Sequence, residues 1–160
     1  MLLAVVAITV QAQDKSKRPS PPATAEGTIN GVKVKIDYSQ PSAKGRKMLG
    51  GIEPFGKVWR TGANETTSIE FSGPVKIEGK DVAQGKYGLY TIPGEDLWTI
   101  IINKDIKWGA FDYTDKSDVI RATVKPSKTD GFVETFVISV DKDQVTLKWE
   151  NTQVSFKVKG

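Results

Sequence analysis

The sequence predicts an all-β fold: a single domain built as a two-sheet antiparallel sandwich, jelly-roll-like. Three observations carry this. Apolar and polar residues alternate with a period of two in one segment after another, Gly and Pro turn signals separate those segments at short intervals, and no stretch of the 160 residues shows a convincing helical period. A closed barrel is the alternative arrangement of the same strands.

The first residues read as a targeting segment. Leu2 to Val10 is an uncharged apolar run, and Val10-Gln-Ala12 fits a small-x-small cleavage signal. The run is too short to cross a bilayer as a helix, which takes ~20 residues. Residues 1–12 are therefore expected to be a signal peptide and the chain to be periplasmic or secreted. The absence of Cys excludes a lipid-anchored form of that signal and any disulfide. Residues 13–26, rich in Lys and Ser and holding Pro19, Pro21 and Pro22, read as a disordered linker. The domain is expected over 27–160.

Asn30-Gly31 is the signature of a tight hairpin turn. In the strand that follows, Val32, Val34, Ile36 and Tyr38 point one way and Lys33, Lys35 and Asp37 the other. Pro41 ends it. Glu65, Thr67, Ile69 and Phe71 share one face of the next strand, stopped at Gly73-Pro74. Val75–Ile77 and Tyr87–Ile92 follow, separated by the turn-rich stretch 78–85. Trp98 to Ile102 is apolar on both faces, as in a central strand covered from two sides. Trp108 and Phe111 sit in a less regular section containing Asp112, Asp115 and Asp118. Val119–Val124 is ended by Pro126. Phe132–Val140 and Gln144–Trp149 are expected to form a hairpin across Asp141-Lys142-Asp143, and the last strand turns Val154, Phe156 and Val158 inward. Nine or ten strands result.

Composition narrows the chemistry. With neither His nor Cys, zinc and copper sites of the usual kinds and the Ser-His-Asp and Cys-His nucleophile systems cannot be built. No metal and no cofactor are predicted, and acid–base work would fall to Glu, Asp, Lys or Tyr. Asp112 to Asp118 offers oxygen ligands but lacks the Gly and terminal Glu of a calcium loop, so it reads as a plain loop. The net charge of +4 rests mostly on Lys scattered singly along strands, a device against edge pairing and not a nucleic-acid surface. No nucleic-acid partner and no membrane span are expected; the oligomeric state is left open.

One stretch breaks the alternation kept elsewhere. Gly50 to Thr66 packs four Gly with Trp59, Arg60, Asn64 and Glu65, and local rule-breaking marks a site. Three readings follow. In the first, the domain is a binding module in which Arg46 and Arg60 hold a small anion or a glycan, Trp59 and Tyr38 stack on it, and Asn64 and Glu65 hydrogen-bond it. In the second, Glu65 is the acid or base of a hydrolase-like enzyme and Arg60 stabilises developing charge, with Glu53 or Asp118 as a second carboxylate. In the third, a buried Arg60–Glu65 pair and a Trp59 core plug only fix the fold.

The motif string Tyr38-Ser-Gln-Pro-Ser-Ala-Lys-Gly-Arg46 followed by Pro54-Phe-Gly-Lys-Val-Trp-Arg-Thr-Gly-Ala-Asn-Glu65 resembles that of an uncharacterised bacterial family of exported proteins. The resemblance extends to Gly85–Pro93, Trp98, Asn103, Trp108-Gly109, Asp118–Arg121 and Trp149-Glu150, and so covers about residues 26–158. It implies an exported β-sandwich and no particular activity.

Overall fold

The computed structural model describes residues 17–160; the expected signal peptide and the start of the linker lie outside the described residues. Ten strands follow: β1 (Pro22–Ile29), β2 (Val32–Ser39), β3 (Ser68–Phe71), β4 (Val75–Ile77), β5 (Lys80–Val82), β6 (Gly85–Ile92), β7 (Trp98–Asn103), β8 (Asp118–Val124), β9 (Ser127–Val140) and β10 (Gln144–Lys159). They form two antiparallel sheets that do not close into a barrel. The larger has the order β1-β2-β3-β6-β7-β8 and the smaller β5-β4-β10-β9. The larger sheet is a meander interrupted once, where β4 and β5 leave it to join the other layer.

Alternation decides what each strand buries. Val34, Ile36, Ile69, Phe71, Leu89, Ile100 and Ile102 from the larger sheet meet Ile77, Phe136, Ile138, Leu147, Phe156 and Val158 from the smaller in one core. Asn30 and Gly31, with φ of 50° and 82°, supply the left-handed pair that closes β1 onto β2. The hairpin between β9 and β10 forms where expected. β1 begins at Pro22, inside the stretch read as linker. Its residues Pro22 to Glu26 pair in register with Lys35 to Ser39, and proline is tolerated there because β1 is an edge strand.

β10 runs through what the sequence divides into two strands. Val145, Leu147 and Trp149 are buried at odd positions, Val154, Phe156 and Val158 at even ones. A straight strand would turn one set to solvent. Register shifts on either side of Glu150, which has φ of 55°, change the parity and keep both sets inward. β7 is buried along nearly its whole length, although it lies next to the edge strand β8. Its outward residue Ile101 is covered, together with Tyr90, by the 104–117 segment, where the Tyr113 ring centroid lies 5.0 Å from that of Tyr90.

Candidate functional site

The rule-breaking stretch belongs to a long connection, residues 40–67, between β2 and β3. It first pairs with the smaller sheet, Ala43 N–H donating to Glu134 O and Phe136 N–H to Pro41 O, both at 2.9 Å. It then crosses to the larger sheet, where Trp59 and Thr91 form an antiparallel bridge. On the way a tight turn at 48–53 is held by Glu150, whose carboxylate accepts from the N–H groups of Met48 and Leu49 at 3.2 and 2.8 Å. The connection thus closes one end of the sandwich.

Trp59 is the stopper. It is 2% exposed, stacked on Trp149 at 5.7 Å, and in edge contact with Phe136 at 5.0 Å and Trp98 at 6.3 Å. Its indole N–H donates to Gly62 O at 3.2 Å. The ring has no face left for a ligand, so the stacking role expected of Trp59 gives way to the core-plug reading. Tyr38 is also committed: its ring meets Phe136 edge-on and its hydroxyl accepts from Ile138 N–H at 3.0 Å. Arg46 folds back on its own loop, donating to Ala43 O and Ser42 O at 2.9 Å each.

Arg60 and Glu65 do not form the expected pair. The chain bends at Asn64, with φ of 58°, before β3 begins, so the alternation of Thr67, Ile69 and Phe71 does not extend back to Glu65. The Glu65 carboxylate, 41% exposed, is held by Arg18 at 3.2 Å. Asn64 donates to Ser20 O at 3.0 Å. Residues 18–22, assigned to the linker from sequence, therefore build one wall of the site.

That wall bounds a cleft of about 260 Å³ on the outer face of the larger sheet, lined by Arg18, Asp37, Tyr38, Ser39, Glu65, Thr66, Ser68, Lys86 and Ile106. Its floor is unusual in composition. Ser39, Thr66 and Ser68 are 4, 4 and 7% exposed, and the Thr66 hydroxyl is sealed from solvent with no hydrogen-bond partner among the described residues. Lys86 and Asp37 stand at the rim, Asp37 accepting from the Thr24 hydroxyl at 2.7 Å. Sequence reasoning missed Ser39, Thr66, Ser68 and Lys86. Ser39 and Ser68 fall at outward positions of β2 and β3, where a small hydroxyl reads as surface; what covers them is a remote segment carrying Ile106.

Further along the outer face, Asp118 accepts from Tyr113, Arg121 and Asn103, at 2.8, 2.8 and 2.9 Å. Burial, with the Asp118 hydrogen bond second, pushes the Tyr113 phenol up to about 12. These oxygens are occupied by protein donors, and no group of three acidic side chains among the described residues converges as a metal site would need. Glu53 is half-buried on the 48–53 turn; burial raises its carboxyl above the usual range, and the Arg60 charge opposes that only in part. No helix among the described residues is long and apolar enough to cross a membrane.

The family described as protein of unknown function (DUF2911) matches over residues 20–158. No match is found among curated proteins or solved structures.

Proposed function

The chain belongs to the DUF2911 family, and we propose that its domain is a binding module for a small polyhydroxylated ligand, a single sugar or sugar derivative, received in the cleft above Ser39, Thr66 and Ser68. The observation that carries this is the cleft floor of three small hydroxyl residues, in which the Thr66 hydroxyl is buried without a protein partner. Each donor or acceptor left unmade in a buried place costs about 1–3 kcal/mol. A ligand bearing several hydroxyls would supply the partner missing at Thr66 and reach Ser39 and Ser68 beside it, and Ile106 and Pro22 would cover its apolar edge. The charged rim of Arg18, Glu65, Asp37 and Lys86 gives both donors and acceptors for orientation. The apolar run from Leu2 to Val10 supports export, so the ligand would be one met outside the cytoplasm. Sequencing the N-terminus of the mature chain tests that part.

Isothermal titration against a panel of neutral and acidic monosaccharides tests the binding. We expect at least one to bind, and the binding to be weakened in Thr66→Val, which removes the buried floor hydroxyl at nearly constant volume. A ligand bound equally well by Thr66→Val, or a panel without any binder, would refute the cleft as the site.

A further inference from the structure

Of the four Arg in the chain, three are pinned by protein acceptors: Arg18 on Glu65, Arg46 on two carbonyls of its own loop, Arg121 on Asp118 and Tyr113. Arg60 is the exception. Its Nε is sealed from solvent and has no hydrogen-bond partner, and none of the ion pairs among the described residues involves it. A guanidinium carries five donors in a planar fork, and leaving them unmade is costly unless something else accepts them.

The surroundings have the form of a receptor for an acceptor group. Trp59 bridges Thr91 with its ring in the core, so the next residue, Arg60, leaves the opposite face beside Tyr90. Tyr90 is fully buried, and its hydroxyl likewise has no partner. Across from the guanidinium stands Glu53, close enough to feel its charge yet not closing an ion pair with it. From above, the backbone at Gly109 comes down on it: a β-carbon there would stand 3.7 Å from Arg60 Nη1. The neighbouring Trp108 is 64% exposed, the most open of the four Trp.

We propose that Arg60 is the recognition point of a second site, separate from the hydroxyl-floored cleft, for an oxyanion (a carboxylate or a phosphoryl group) carried on a ring that Trp108 covers. The anion takes the free fork of Arg60 in bidentate fashion. Glu53, which feels the charge of the same guanidinium, bounds the site on its far side. Trp108 supplies the flat apolar surface for the body of the ligand.

The test reads Arg60 directly. In proton–nitrogen NMR spectra each Arg contributes one Nε–H resonance, and the signal missing in Arg60→Lys assigns that of Arg60. The chain is titrated separately with inorganic phosphate, acetate, glucuronate and glucose. We expect phosphate or one of the carboxylates to shift the Arg60 resonance saturably, with glucose at the same concentration leaving it in place. Glucuronate binding tighter than acetate by tenfold or more, with Trp108 fluorescence changing, would show a carboxylate on a ring as the favoured form; phosphate alone shifting the signal would show the phosphoryl form. An unmoved Arg60 resonance, or equal shifts of all four Arg with ionic strength, overturns the proposal. If Arg60→Lys does not fold, the missing assignment comes from Arg18→Lys, Arg46→Lys and Arg121→Lys. Thr66→Val separates the two sites: it leaves the Arg60 titration unchanged if the anion site stands, whatever becomes of binding in the cleft.

Discussion

Replacing Arg60 by Met puts the unusual state of this guanidinium on an energy scale. Three consequences of the substitution can be weighed. The buried Nε–H without an acceptor disappears, which recovers up to about 1–3 kcal/mol of unmade hydrogen bonding. The stem is replaced by an unbranched chain that adapts well to irregular gaps, so little packing is lost. The attraction between Arg60 and Glu53 is removed, and because both groups are partly open to water this is worth at most about 1 kcal/mol. The balance lies between no change and a gain of about 2 kcal/mol, in the direction of greater stability. Urea unfolding followed by Trp fluorescence measures it. With a slope of about 1–3 kcal/mol per molar urea, a gain of 1 kcal/mol moves the midpoint up by about 0.3–1 M. A loss of 3–5 kcal/mol would be the cost of stranding a buried carboxylate. That result would mean Arg60 is structural, and the reasoning from its free fork would fall.

Other perturbations separate the parts of the same region. Trp59→Ala should cost about 3–5 kcal/mol in urea unfolding, since it empties the centre of the Trp98–Phe136–Trp149 cluster; a cost below 1 kcal/mol would show that the ring is not a core plug. Glu53→Gln should raise the melting temperature at pH 7 and lose that advantage at pH 3. The folded carboxyl titrates above its unfolded value, so the native chain gains stability as pH falls through that raised value, and the amide has the benefit already. An alkaline absorbance titration should show a Tyr ionising near 12 that is missing in Tyr113→Phe. Between about 10 and 12 the unfolded chain alone releases that proton, so stability falls through this window, and Tyr113→Phe should flatten the fall.

How much was legible in the sequence depends on whether period-two reasoning applied. Where strands are straight it worked: Val32 to Tyr38 and Ile69–Phe71 face the core as the pattern requires. It failed at two bends, and composition misled at a third place. At Asn64 the chain turns with positive φ, and Glu65 moves from an expected core position to a half-exposed one beside Arg18. At Glu150 a bulge joins two out-of-phase patterns into one strand. At Pro22 the residues suggest disorder, but an edge partner was waiting in β2. The site was half legible for a related reason. The stretch around Trp59 and Arg60 stood out by composition, and its core-plug reading came from the sequence alone. The floor of Ser39, Thr66 and Ser68 could not stand out, because what buries these residues comes from residues distant in the chain.

The smaller sheet has an organisation with consequences for synthesis. β4 and β9 do not pair with each other; both are joined only through β10, the last strand in chain order. While the chain is being made, the six strands of the larger sheet can emerge and still lack β9 and β10, the long strands that cover most of their inner face. The second layer closes when the stretch ending at Lys159 is delivered, and it must then pair at one end with β9 nearby and at the other with β4, about eighty residues earlier. A nascent chain so built stays open until it is nearly complete. Until then the apolar face of the first layer is a surface open to association with other chains.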